Sequence, residues 1–330
     1  MSHLLQEKAL SVDDVLLVPK EGILNSRSQA QLKTFLCSAP MDTVTGYEMV
    51  KAMLAHDELA VVSRFLPEEE RDKCIKEFAG NPRVYFAVGF KDYESTLNKT
   101  SQQINIALDI AHGDMTLLHK LTEKLAESDL VDRIMSGSIC TWQAALRAIE
   151  AGCTDLRVGV GPGAACTTRL MTGCGYPNLS AVYQIAQRTE KYSGVTVIAD
   201  GGVKHPGDAV KYMSAGAHAV MMGSAFSRTK ESAGWKEVDG KLIKSYRGQA
   251  SAAFQVDQFG SSNRCPEGAS SSSYAWDGLT VSDVIGKYHG GMQSALSYLG
   301  LSSTDQLHPD NVEFVQITAA TYIEGTPHGT

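Results

Sequence analysis

The sequence predicts a closed parallel (β/α)8 barrel, the TIM-barrel class, from three observations. Apolar runs too hydrophobic to leave one face in water recur eight times along the 330 residues. Amphipathic stretches with helical spacing separate them, so strand and helix alternate almost throughout. Small and polar residues follow each run at once, where a barrel of this kind builds its functional face.

In chain order the runs are residues 35–41, 59–65, 84–90, 104–111, 133–139, 156–160, 195–199 and 218–223. Helical spacing of apolar residues is clearest over 141–151, 179–192 and 206–215, and Gly152, Gly194 and Gly216 stand where helix C-caps belong. An open doubly wound sheet is the alternative arrangement. No linker rich in Pro or Ser interrupts this region, so residues 1–330 are expected to form one catalytic domain without an inserted regulatory module. The residues that follow the runs are Met41-Asp-Thr, Arg64, Asp109-Ile-Ala-His-Gly, Ser136-Gly-Ser, Gly161-Pro-Gly, Asp200-Gly-Gly and Gly223-Ser. In a barrel these separate turns become neighbours at one end.

Two segments break the rhythm. The gap between the sixth and seventh runs is the longest in the barrel. Residues 257–273 are polar, small and aperiodic, so their composition predicts a mobile loop. It is either a surface excursion or part of a flap, over 249–278, that covers the barrel mouth.

Composition narrows the function. A formal net charge of −7 argues against a nucleic-acid partner. No apolar stretch is long enough to span a bilayer, and the first residues lack a secretory pattern. Seven scattered cysteines without a Cys-x-x-Cys pair read as reduced thiols of a cytoplasmic protein, and the dispersed histidines predict no transition-metal site.

One thiol stands out. Cys166 lies in Gly159-Val-Gly-Pro-Gly-Ala-Ala-Cys-Thr-Thr-Arg169, on a glycine-rich turn after an apolar run, with Thr168 placed to pass a proton. That arrangement suits covalent catalysis, although free cysteines are more often inert core residues. Asp200-Gly201-Gly202 and Gly223-Ser224 follow the last two runs, where barrels hold phosphate on backbone N–H groups, and the Asp200 carboxylate can accept from a ribose diol. The ligand would be a nucleotide or FMN. Gly159-x-Gly161-x-Gly163 lacks the spacing of a dinucleotide fingerprint and leads to a cysteine, so a nicotinamide cofactor would lie across the barrel mouth.

These residues, taken together, resemble the IMP dehydrogenase/GMP reductase family over nearly the whole chain. The resemblance is carried by Ser38-Ala-Pro-Met-Asp-Thr-Val44, Leu108-Asp-Ile-Ala-His-Gly113, the cysteine loop with Thr172-Gly-x-Gly-Tyr-Pro177, Ile198-Ala-Asp-Gly-Gly202, Met221-Met-Gly-Ser224 and Tyr246-Arg-Gly248. It implies a barrel, usually a homotetramer, that binds a purine nucleoside monophosphate and attacks C2 of the base. By resemblance Cys166 is the nucleophile, Thr168 exchanges a proton, and Glu267 works with Thr168. Ser38, Met41, Asp200, Gly201, Gly202, Gly223 and Ser224 would bind the nucleotide, and Gly248, Gln249, Ala250, Arg264 and Gly268 would cover the base. Asp109, with Ala111 and Ser138, would face the nicotinamide. Carbonyls of Gly161, Gly163 and Cys166 would hold a monovalent cation, K⁺ in relatives.

The family runs two reactions. The short Arg264-Cys-Pro-Glu-Gly268 spacing and Leu108-Asp-Ile-Ala-His-Gly113 resemble the reductases, which use NADPH. Tyr246-Arg-Gly248, Gly223-Ser224 and the tail around Glu324-Gly-Thr-Pro-His328 resemble the dehydrogenases, which use NAD. Ala164 and Ser138 depart from the family pattern, which commonly has a phosphate-binding serine and an asparagine there. The expectation is a GMP reductase, with IMP dehydrogenase as the alternative. A nucleotide-binding relative without activity is the non-enzymatic reading, and an FMN barrel enzyme would reveal itself by colour.

Overall fold

In the computed structural model, which describes residues 8–262, 265–270 and 272–325, the eight apolar runs close into a parallel barrel. A short strand β1 (Val15–Leu17) precedes it. The staves are β2 (Phe35–Ser38), β3 (Leu59–Val62), β4 (Val84–Val88), β5 (Ile104–Leu108), β6 (Val131–Ile139), β7 (Asp155–Val158), β8 (Thr196–Asp200) and β9 (Ala219–Met222). Closure comes from β2 against β9, with Phe35 opposite Ala219 and Cys37 opposite Met221. The open-sheet alternative is thereby excluded.

Helices α1 (Tyr47–Leu54), α2 (Glu68–Phe78), α3 (Tyr93–Leu97), α4 (Thr116–Ala126) and α5 (Trp142–Glu150) follow the first five staves. After β7 the chain makes a short α6 (Thr168–Thr172) before α7 (Asn178–Thr189), and α8 (Pro206–Ser214) follows β8. Beyond β9 come α9 (Ser224–Ser227), the hairpin β10 (Trp235–Val238) and β11 (Lys241–Tyr246), α10 (Ala252–Phe259), β12 (Ser272–Ala275) and the long α11 (Val281–Leu299). The chain ends with β13 (Phe314–Gln316), antiparallel to β1, and α12 (Ala319–Glu324).

The unbroken apolarity of the staves has a simple cause. Side chains alternate across a strand, and in a closed barrel both faces are dry. Leu36, Val62, Phe86, Ile106, Leu156, Val197 and Val220 pack outward into the helical layer. Cys37, Val61, Tyr85, Ala87, Ala107, Met135, Ile198 and Met221 fill the interior. Local signals set the helix ends. Thr141 accepts from the Ala144 N–H at the start of α5, Pro206 opens α8, and Gly152 (φ 99°) and Gly216 (φ 100°) supply left-handed turns after α5 and α8. Several apolar runs overshoot their strands because Met41, Phe65, Phe90 and Ala111 belong to the turns beyond.

The polar segment 257–273 is not aperiodic throughout, which corrects the compositional reading. Helix α10 continues to Phe259, anchored by the buried Phe254, capped by Ser251 and ended by Gly260 at φ 74°. Small residues of β12 pair with β11, Ser272 opposite Tyr246 and Ser273 opposite Ser245. Backbone hydrogen bonds to a neighbouring strand, rather than apolar side chains, give that stretch its form.

Candidate active site

The cysteine loop is shaped by close approaches that only glycine tolerates. A Cβ on Gly159 would stand 2.3 Å from the Asp200 carbonyl oxygen, and Gly161 has φ 81°. Arg169 clamps the loop from beneath: Nε donates to the Val160 carbonyl at 2.8 Å and Nη2 to that of Tyr176 at 2.6 Å. Cys166 emerges exposed, its thiol donating to Thr168 Oγ1 at 3.2 Å.

A small backbone ladder then brings the distant Glu267 segment beside the cysteine loop. Cys166 bridges antiparallel to Gly268, the Thr167 N–H donates to the Glu267 carbonyl at 2.9 Å, and the Ala269 N–H to that of Ala165 at 2.8 Å. On the other side the Glu267 N–H donates to the Ala250 carbonyl at 3.0 Å and the Gly248 N–H to that of Ala269 at 3.2 Å. Three segments thus lie side by side. A Cβ on Gly248 would fall 3.0 Å from the Gly268 Cα, so neither glycine can carry a side chain without parting the ladder. Cys166, Thr168 and Glu267 all line one cleft of about 320 Å³ at the C-terminal end of the barrel.

The opposite wall is ionic. Asp109, Arg157 and Asp200 occupy inward positions at the ends of β5, β7 and β8. Arg157 Nη1 lies 3.5 Å from Asp109 and its Nε 3.5 Å from Asp200, while Nη2 donates to Ser138 Oγ at 3.3 Å. Arg64 Nε stands 3.5 Å from the other Asp109 oxygen. These are long contacts, and the Nε atoms of Arg64 and Arg157 are buried without a hydrogen-bond partner among the described residues. Burial pushes the Asp200 carboxyl up from its ordinary value; Arg157 pulls it back and Asp109 adds to the rise. Burial, reinforced by Asp200, also raises the Tyr246 hydroxyl, which remains a neutral phenol in the cleft.

Most of the expected residues converge. Met41, Asp109, Ala111, Ser138, Gly161, Gly163, Asp200, Gly248, Gln249 and Ala250 line the cleft with the three catalytic candidates. Gly201 (φ 81°) and Gly202 (φ 74°) sit just behind it, where their own Cβ atoms would meet Gly163 N at 3.0 Å and Tyr212 Oη at 3.0 Å. Gly223 backs onto Met41 and Tyr246 and precedes Ser224 at the start of α9. Gly163 turns its carbonyl toward the Cys166 N–H at 3.0 Å. Ser38 is a correction: it is fully buried and pairs with Ala60 and Met222, which face the helical layer, so its hydroxyl points away from the cleft. Arg264 lies outside the described residues.

The sequence placed Arg64 at the barrel mouth, where it is found, but assigned no role to Arg157 or the aromatic rim of Phe65, Phe254 and Phe259, which also line the cleft. Arg157 did leave a signal. It is a charged residue at an inward position between Leu156 and Val158, in a run otherwise apolar.

A family model described as IMP dehydrogenase / GMP reductase domain matches residues 9–328. Among curated proteins, an inosine-5'-monophosphate dehydrogenase of Streptococcus pyogenes is 37% identical over 236 residues, which cover 68% of this chain and 47% of that protein. The protein of the same name from Chlorobaculum parvum is 31% identical over 301 residues, 84% of this chain and 60% of that one. One from Chlorobaculum tepidum is 32% identical over 273 residues, covering 78% and 54% respectively. The chain spans about half the length of the curated relatives it matches.

Proposed function

We propose a specific reaction from a plain premise: the chain belongs to the IMP dehydrogenase/GMP reductase family. Our reading is that it reduces GMP to IMP and ammonia with NADPH, through a covalent Cys166 adduct at purine C2. The observation that carries it is the gathering of a thiol, a hydroxyl and a carboxylate from distant segments in one cleft.

In this reading the Cys166 thiolate adds to C2 of guanine, and the electron pair moves onto the ring nitrogen. The exocyclic C–N bond then breaks, and the leaving amino group takes a proton from Thr168, which Glu267 restores. A hydride enters C2 of the adduct, the C–S bond breaks, and the thiolate returns as IMP departs. The nicotinamide, when bound, supplies that hydride. With two protons taken up, the products are IMP, NADP⁺ and ammonium, so the equation balances. Backbone N–H groups at Gly202 and Ser224 hold the phosphate, and Asp200 holds the ribose. The chain fits a nicotinamide nucleotide: the buried Asp109 carboxylate has polar side-chain contacts only at 3.4–3.5 Å among the described residues, which leaves it free to accept from a ribose diol. A monovalent cation on the cysteine loop, a homotetramer and a cytoplasmic location belong to the same proposal.

The reductive direction rests on Glu267 lying only three residues after Arg264, the spacing that resembles the reductases. The names of the relatives favour a second reading, oxidation of IMP to XMP with NAD. Absorbance of the reduced cofactor decides between them. Loss of NADPH with GMP supports reduction, and appearance of NADH with IMP overturns it. Silence in both assays, with nucleotide still bound, would leave a binding protein.

A further inference from the structure

Gln249 stands between the two halves of the cleft, and its amide makes two contacts at once. Its Nε2 donates to the Pro40 carbonyl at 2.5 Å and lies 3.4 Å from Asp109 Oδ2. A carbonyl and a carboxylate offer only acceptors, so the amide nitrogen must face them, with one hydrogen for each. Gln249 belongs to the strand of the ladder that the Glu267 N–H joins through Ala250, while Pro40 follows β2 and Asp109 follows β5. The adjacent Arg247 reinforces the tie: its Nε and Nη2 donate to Asp42 at 3.0 and 2.7 Å.

We propose that Gln249 is a positioning residue that couples the two ligand subsites, joining the loop over the purine to the carboxylate that receives the nicotinamide ribose. This rests on the reading of Asp109 given above. Asp109 meets Arg64 and Arg157 at 3.5 Å and the Gln249 amide at 3.4 Å, and of these three only Gln249 belongs to the loop over the purine. Closure of residues 248–250 on a purine holds that amide in place, and the oriented carboxylate then binds the second ligand more tightly. The coupling is reciprocal, because a ligand on Asp109 favours the same loop position.

The test measures NADPH affinity with and without GMP in Cys166→Ala protein, which forms no adduct. GMP should tighten NADPH binding. Adding Gln249→Met, which keeps the length and removes both donors, should cut that tightening about tenfold, the scale of one hydrogen bond to a charged group. Affinity for GMP alone is measured in both proteins, so that the tightening is read as a ratio and a loss of GMP binding itself drops out of it. If Gln249→Met fails to fold, Gln249→Glu, which turns a carboxylate toward two acceptors, must show the same loss. An undiminished tightening in either variant overturns the coupling and leaves the proposed reaction standing. Cys166→Ala protein that binds GMP but no nicotinamide nucleotide overturns both.

Discussion

The two ends of the barrel handle charge in opposite ways. At the N-terminal end Asp155, 3% exposed, accepts from Arg133 Nε at 3.1 Å and Nη2 at 2.5 Å, Tyr85 Oη at 3.1 Å, Thr154 Oγ1 at 2.8 Å and Thr196 Oγ1 at 2.5 Å. Both carboxylate oxygens are fully used. At the C-terminal end Asp109, Arg157 and Asp200 meet at 3.5 Å, and the Nε atoms of Arg64 and Arg157 have no hydrogen-bond partner among the described residues. A closed network holds a fold together and has nothing left for a ligand; an open one costs stability and keeps its donors and acceptors for a guest. The difference separates the floor from the mouth without reference to any relative.

Substitutions at the two ends should therefore fail differently. Cys166→Ala, at the mouth, should cut turnover by at least about 10³-fold while nucleotide binding and melting temperature hold. Full activity in that variant would remove the thiol from the mechanism. Asp155→Ala, at the floor, should cost about 3 kcal/mol of unfolding free energy, because Arg133 is left half-buried without its partner. Denaturant titration measures this, and a cost below about 1 kcal/mol would reduce the network to ornament. Glu267→Gln should slow turnover by about 10²-fold, with little change in nucleotide affinity; steady-state kinetics and equilibrium binding separate the two.

The smallest effect sharpens the contrast most. Burial raises the Asp200 carboxyl, so the folded protein binds its proton more tightly than the unfolded chain does. Its ionisation then penalises the fold above the folded-state pKa, and the penalty vanishes below the unfolded value. Asp200→Asn should accordingly stabilise the unliganded protein modestly at neutral pH, with the gain fading as pH falls through the carboxylate range. The same change should weaken nucleotide binding. A loss of stability at neutral pH would show that Asp200 belongs to a closed network after all.

Much of this was legible in the residues. Eight dry strands announce themselves because a closed barrel leaves no wet face, and Gly152 and Gly216 mark helix ends through a backbone conformation that other residues avoid. The cysteine loop was legible because Gly159 and Gly161 in front of Cys166 have few other uses. Ser38 was misplaced because strand parity decides whether a side chain enters the barrel, and parity depends on a strand's exact start. Arg157 went unassigned because a charged residue in an apolar run declares no partner until the neighbouring staves are in register. Residues 257–259 and 272–273 read as loop because their order comes from a capped, Phe254-anchored helix and from pairing with β11.

Sequence alone determined the barrel, its order of strands and helices, and the place of Cys166 behind its glycine turns, since periodicity and backbone freedom are local properties. Only the tertiary structure decided that Glu267 lines the same cleft as Cys166, that Gln249 spans from Pro40 to Asp109, and that one ionic cluster is closed while the other stays open. Those outcomes depend on angstrom-scale distances between segments far apart in the chain, which hydrogen-bond register and packing set together.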